Sequence, residues 1–372
     1  AAGGLEGERS TLSLDLPKAR PGSTQVSVSV SPSLAATAVE ALPYLADYPY
    51  GCLEQTLSRF VPTAVTLDTL TRLGFDRGEV ATAAFARATQ AGPLRDEDQT
   101  LDAVDAMAAE GLTRVLSMQR GDGGFSWWPG GDADVFMSGY AVWSLALADR
   151  AALDVPRGAL EAGRSFLVGE LTAVAERDLD LAAWCLHAIV EGTAVLEDGQ
   201  LAPVVTQRFV EVYERREGLG AYGRALLLLV ANGMGRESEV QVLLRNLENG
   251  VVKGAGPGGG VLQPDAQTAG RPTARWGDEG LGHRWSQDGV EATAFSLRAL
   301  LAVDPEHELV EPAIEWLVLS RRGSAWKSTR DTAVCVLALM DAVVGRGELE
   351  RETAFRLLVD GEERGGGIAR SG

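Results

Sequence analysis

The sequence predicts an all-α fold: an α/α toroid of six inner and about six outer helices, with short flanking β-strands. Three observations carry that prediction. Stretches of almost wholly apolar or small residues recur six times, opening near Cys52, Asp134, Asp178, Ala221, Gly289 and Ser328. Charged amphipathic stretches lie between them, at 101–119, 157–174, 201–217, 237–248 and 306–321. Alternation of β type is confined to the two ends of the chain. A helix apolar on every side must be buried, whereas an amphipathic one covers a core. Buried helices alternating with covering ones give a double ring, a repeat closed on itself.

The elements follow in order. Leu12, Leu14 and Leu16, then Val26, Val28 and Val30, split by Pro17 to Gly22, predict two strands of a hairpin or of an incomplete sheet. The first inner helix starts at Cys52, because Pro49 disfavours helix at Tyr48 and Gly51 tolerates unusual backbone angles. The second and fourth are plain in Ser138–Leu147 and Arg224–Ala231. Asp178 caps the third, and Ser328, with Asp331 three residues on, caps the sixth. Residues 253–287 are long, Gly/Pro-rich and read as loop, a class that is usually functional or disordered. Ala354–Val359 predicts a returning strand. The chain is thus divided into a β-strand flank at 1–32, a helical domain at 33–350 and a C-terminal flank at 351–372.

Composition narrows the function. The chain has 372 residues, 45% of them apolar, enough for a large core. No apolar run reaches the length of a membrane span, so no membrane contact is expected. The net charge is −18 and no Lys/Arg stripe is visible, which argues against nucleic acid; the acidity reads as solubility. The Ala-Ala-Gly-Gly start carries no signal peptide and reads as a mature-domain boundary. The three cysteines cannot all pair, and Cys185 and Cys335 sit in apolar helical stretches as inert buried thiols. No C-x-x-C or His cluster suggests a metal, and no cofactor is implied.

The chemistry lies in Tyr48-Pro-Tyr-Gly-Cys-Leu-Glu-Gln55. Cys52 and Gln55, one turn apart at a helix start, share a face. Attack of the Cys52 sulfur on the Gln55 side-chain amide, with loss of ammonia, makes an internal thioester. That electrophile can acylate an amine or a hydroxyl. The helix-start amides and macrodipole are expected to lower the thiol pKa and to stabilise the thiolate that leaves when the bond opens. Glu54 is expected to point away from the Cys–Gln face into solvent.

At these residues the chain resembles the alpha-2-macroglobulin and complement thioester family, most of all its bacterial members. Thr56-Leu-Ser-Arg-Phe-Val-Pro62 extends the match. Gln119 to Trp128, Asp288-Gly-Val-Glu-Ala-Thr-Ala294 and Trp326-Lys-Ser-Thr-Arg-Asp-Thr-Ala333 follow in the family's order. The resemblance covers about residues 33–344 and concerns the thioester domain alone. It implies the toroid fold, and it implies that the flanking strands belong to a CUB-like β-sandwich that this domain interrupts. It implies a parent that is periplasmic or extracellular, in some members lipid-anchored. It also implies a single-turnover inhibitor rather than an enzyme: target proteases are trapped covalently through their Lys amines after the parent's other domains change shape.

In a toroid the inner helices run parallel, so the loops before them meet at the Cys52 end. Helpers are expected from 123–135, 172–178, 253–289 or 323–327. Some complement members pass the acyl group to a His before the third inner helix; here 172–178 holds none. His283 is the remaining geometric candidate for a helper. His187 reads as a core residue and His307 as surface. Tyr48, Tyr50, Trp127, Trp128 and Met137 are candidates for shielding the thioester from water, against the plainer reading of packing. Two alternatives stand beside the thioester. One is a non-covalent interaction domain with a non-functional Cys–Gln pair. The other is a terpene-cyclase-like toroid enzyme, suggested by Gln119 to Trp127 and by Asp178-Leu-Asp-Leu. A prenyltransferase zinc site of Asp, Cys and His cannot be assembled.

Overall fold

The computed structural model describes residues 12–14, 33–46, 51–85, 97–191, 201–254, 262–264, 272–277, 289–346, 353–359 and 362–369. Among them are 13 α-helices: α1 (Leu34–Ala46), α2 (Leu53–Arg72), α3 (Arg77–Phe85), α4 (Glu97–Ser117), α5 (Val135–Arg150), α6 (Arg157–Arg177), α7 (Leu179–Val190), α8 (Leu201–Glu214), α9 (Ala221–Gly233), α10 (Glu237–Asn249), α11 (Gly289–Val303), α12 (Val310–Leu319) and α13 (Thr329–Arg346). The six apolar helices of the sequence are α2, α5, α7, α9, α11 and α13, each starting within a residue of its predicted opening. The charged stretches form α4, α6, α8, α10 and α12. Helices α1 and α3 are additions. Helix α1 runs through Pro43.

The six apolar helices pack in a cyclic order. Each lies against the next, from α2 through α5, α7, α9 and α11 to α13, and α13 lies against α2. Neighbours run parallel, because first turns meet first turns. Leu53 N–H donates to the Trp127 carbonyl before α5, Gly220 N–H before α9 donates to Asp180 of α7, and Thr329 of α13 donates to Glu54 of α2. At the other ends Asn232 of α9 reaches Ala302 O of α11, and Arg72 of α2 reaches Arg150 O of α5. The amphipathic helices flank this set, α6 against α5 and α7, and α4 against α2.

Aromatic side chains fill the middle. Tyr140, Trp143, Trp184, Tyr222 and Phe295 come from four different helices and are almost fully buried. Trp184 stacks on Phe136 at 5.5 Å and meets Trp143 edge-on at 5.7 Å; Tyr222 meets Phe295 at 5.4 Å. Such offset and edge contacts add about 1 kcal/mol per pair beyond area burial. Gly139 permits the approach, since a Cβ there would lie 2.5 Å from Trp184 Nε1.

The strands add pairings that the sequence did not specify. β1 (Leu12–Leu14) pairs antiparallel with β3 (Leu262–Pro264); its expected partner in a hairpin or an incomplete sheet, 26–30, lies outside the described residues. The stretch 253–287, read as a loop, carries β3 and also β4 (Thr273–Arg275), which pairs with β2 (Val252–Gly254). Buried Trp276 pins it, through its N–H to Thr293 Oγ1 (3.0 Å) and its Nε1–H to Leu247 O (2.7 Å). The tail's expected strand is β5 (Thr353–Val359), in a hairpin with β6 (Glu362–Ala369).

Candidate functional site

Cys52 is the N-cap residue of α2, with extended backbone (φ −68°, ψ 166°), and Gln55 lies in the first turn. Two anchors fix this start from outside. Arg114 of α4 donates to Gly51 O from Nε (2.9 Å) and Nη2 (2.6 Å). A Cβ at position 51 would meet that guanidinium, so the flexible end of Arg114 would have to shift if position 51 carried a side chain. The Trp127 carbonyl takes the Leu53 N–H at 3.0 Å, one of the donors that a helix start leaves free.

Cys52 is 7% exposed and pairs in no disulfide among the described residues. Burial pushes the thiol above its ordinary value; the backbone N–H of Gln55 pulls it down, the Glu54 charge pushes it up, and the Glu54 N–H pulls it down again. The expected lowering at the helix start is therefore overturned. The amides act as predicted, but loss of water outweighs them. Gln55 Oε1 is buried and accepts no hydrogen bond among the described residues. An amide oxygen left so costs about 1–3 kcal/mol.

Glu54 is also corrected. It is half-buried, and its Oε1 accepts from Ser58 Oγ (2.9 Å) and from Thr329 Oγ1 (2.9 Å). The Tyr140 hydroxyl lies 2.9 Å from Ser58 Oγ. Beyond it, Arg330 pairs with buried Glu291 and stacks over Phe136 at 4.8 Å. Glu291 belongs to the Asp288–Ala294 stretch, and Thr329 and Arg330 to the Trp326–Ala333 stretch. Both sequence matches thus fall at the pole that holds Cys52. Their residue types were visible in sequence, but their partners depend on the ring.

The remaining candidates are placed unevenly. Trp127 is half-buried with its backbone on the α2 start, Trp128 is 53% exposed, and Met137 is buried in the first turn of α5. Tyr48, Tyr50 and His283 lie outside the described residues. His307 is half-buried rather than on the surface: its ring bonds Glu248 (2.9 Å) and accepts from Leu309 N–H (3.2 Å).

His187 is a core residue, as expected, 5% exposed among Trp143, Trp184 and Phe295. Burial lowers it to about 4; the Glu191 charge opposes this, and Arg298 and Arg150 add to it. A lowered His pKa means that the unfolded chain binds the proton first. The stability this group contributes is therefore complete above about pH 6.5 and is lost as pH falls toward about 4. Burial pushes Glu191 up, but the charges of His187, Arg150 and Arg298 and the Trp143 N–H hold it below the usual range. That adds a further loss below its unfolded pKa. Urea unfolding should show stability falling by about 3 kcal/mol between pH 7 and pH 4 through His187 alone. A His187→Phe variant should flatten that slope, and an unchanged slope would refute the assignment.

The terpene-cyclase reading finds no support here. Asp178 caps α7 through Leu181 N–H (3.1 Å), and Asp180 accepts from Gly220 N–H (2.9 Å). Gln119 Nε2 donates to the Gly123 and Ala159 carbonyls. In this structure these residues cap helices and hold turns. Among the described residues no group of His, Cys, Asp and Glu could hold a metal, and no helix is long and apolar enough to cross a membrane. Cys185 and Cys335 are buried free thiols.

Comparison with known proteins bears on this geometry. Residues 25–174 match the family described as the A-macroglobulin TED domain. Alpha-2-macroglobulin of Thermotoga maritima is 30% identical over 142 residues, 38% of this chain and 7% of that protein. Alpha-2-macroglobulin of Escherichia coli is 30% identical over 125 residues, 33% of this chain and 6% of that protein. The chain thus spans under a tenth of these relatives' length. In fold it resembles E. coli alpha-2-macroglobulin from domain MG7 to the C-terminus, with TM-score 0.57 and 17% identity over 87% of this chain and 44% of that one. It also resembles Salmonella alpha-2-macroglobulin reacted with methylamine, with TM-score 0.58 and 20% identity over 86% of this chain and 18% of that one.

Proposed function

We propose that the chain, whose residues 25–174 match the A-macroglobulin TED domain family, is the reactive domain of a protease-trapping protein. Cys52 and Gln55 form an internal thioester; a Lys amine of a captured protease opens it, leaving an amide at residue 55 and a free thiol at Cys52. One observation carries this reading above the others. Gln55 Oε1 is buried without a hydrogen-bond partner among the described residues, one turn from a buried thiol at a helix start. A thioester carbonyl is a weaker acceptor than an amide, so acylation of the sulfur removes most of the penalty of leaving that oxygen dry.

The cyclic packing of six parallel helices supports an α/α toroid with the amphipathic helices as its outer ring. The flanking strands are read as edges of a CUB-like sandwich around residues 33–350. The relatives' identities support a periplasmic or extracellular parent whose other domains hold this one until a protease acts; an E. coli relative is described as activated by porcine elastase. Aminolysis is the favoured reaction, because a hydroxyl competes only when a base activates it, and 172–178 carries no His. Trp127, Met137, Tyr48 and Tyr50 are proposed as the water shield and His283 as the remaining helper. Trp128, being mostly exposed, is the weakest member of that set. The transfer is single-turnover. The intact mass of freshly prepared chain tests the proposal. It should fall below the sum of its residues by one ammonia, and a mass equal to that sum defeats the reading.

A further inference from the structure

Glu54 stands between the two reacting residues, and the sequence gives it no task. Its Oε1 joins two helices directly, and a third through Ser58. It accepts from Ser58 Oγ within α2 and from Thr329 Oγ1 at the start of α13. With the Ser58 proton directed to Glu54, the Tyr140 hydroxyl of α5 donates to Ser58. Arg330, a buried cation at the start of α13, is engaged with Glu291.

We propose that Glu54 is a positioning residue for the reaction above, on whose reading this inference rests: it ties the first turn of α2 to α13, and its charge, two residues from Cys52 at the same helix start, holds back thiolate release. In the step concerned, the amine nitrogen bonds to the acyl carbon of residue 55 and the carbon–sulfur bond breaks. The electron pair leaves on Cys52 Sγ, which takes a proton, and the new ammonium loses one to water. Negative charge therefore grows on sulfur as the bond opens, at the helix start that also carries the tethered Glu54 carboxylate. That carboxylate already adds to burial in pushing the Cys52 thiol up, and a thiol of higher pKa leaves more slowly. The tether acts earlier, by keeping Cys52 and Gln55 in register while the thioester forms.

The two halves separate experimentally. Glu54→Gln keeps an acceptor for Ser58 and Thr329 and removes the charge. Its methylamine incorporation rate, per molecule carrying the thioester, should rise about three- to tenfold. Thr329→Val keeps the charge and removes one tether with a side chain of equal size. The fraction of chains carrying the thioester, read from intact mass, should fall at least about twofold. A Glu54→Gln rate within about twofold of the unsubstituted chain, or an unchanged Thr329→Val fraction, overturns the corresponding half. Unsubstituted chain that carries no thioester at all overturns the reading of function first and this inference with it.

Discussion

Methylamine should add to residue 55 of freshly prepared chain and free one thiol at Cys52, and Cys52→Ala should abolish both. This is the largest effect the geometry leads us to expect, a loss to background. A Gln side chain is inert toward amines at neutral pH because amide resonance protects its carbonyl. Transfer of the acyl group to sulfur removes most of that protection. Formation of the bond relies on proximity. The extended backbone of Cys52 (φ −68°, ψ 166°) precedes the first turn of α2, whose face holds Gln55, and positioning of two groups in this way replaces a bimolecular encounter. The sulfur is the required element, so Cys52→Ala leaves residue 55 an ordinary amide. Cys185→Ala and Cys335→Ala leave incorporation in place, because those thiols are buried inside α7 and α13 rather than at a helix start. Intact and peptide mass spectrometry, with a thiol titration, reads all three. Incorporation that survives in Cys52→Ala would place the reactive group elsewhere and end the proposal.

The parts of this molecule that were legible in sequence share a physical reason. The six inner helices announce themselves because burial on every side demands unbroken apolar runs. Their starts are sharpened by caps that the structure contains: Asp134 accepts from Met137 N–H, Asp178 from Leu181 N–H and Ser328 from Asp331 N–H. Cys52 and Gln55 are legible because their relation is local. What escaped the sequence is set by closure of the ring or by solvent. The ties from Thr329 and Tyr140 to the α2 start, and from Arg114 to Gly51, join residues far apart in the chain. The direction in which the Cys52 thiol shifts depends on how much water the fold excludes, and local amides alone pointed the wrong way. The pairing of β1 with β3 is a long-range contact that alternation of Leu12 and Leu14 could not specify.

Trp184→Ala should lower the free energy of unfolding by about 4 kcal/mol, the second large effect. Trp184 is the side chain on which the ring converges. It contacts Phe136, Tyr140, Trp143, Tyr222 and Phe295 from the neighbouring helices, and its Nε1–H donates to Phe136 O at 3.2 Å. Truncation removes an indole from a site lined by five rings held on three helices, α5, α9 and α11. Those helices cannot all move inward together, so a cavity remains and its cost adds to the lost transfer energy. Trp184→Phe keeps much of the volume and should cost about half as much. Trp128→Ala, at a side chain 53% exposed, should fall within about 0.5 kcal/mol of the unsubstituted protein. Urea unfolding measures the three, with the denaturant slope checked for constancy. The same variants join fold to chemistry. Phe136, on which Trp184 stacks, lies in the first turn of α5, just after the segment whose Trp127 carbonyl anchors Leu53. A loosened axis therefore loosens the start of α2, and Trp184→Ala should lower the fraction of chains that form the thioester where Trp128→Ala leaves it unchanged. A Trp184→Ala protein within about 1 kcal/mol of the original would mean that the axis is not the packed column described, and that the pole bearing Cys52 is held from outside the ring.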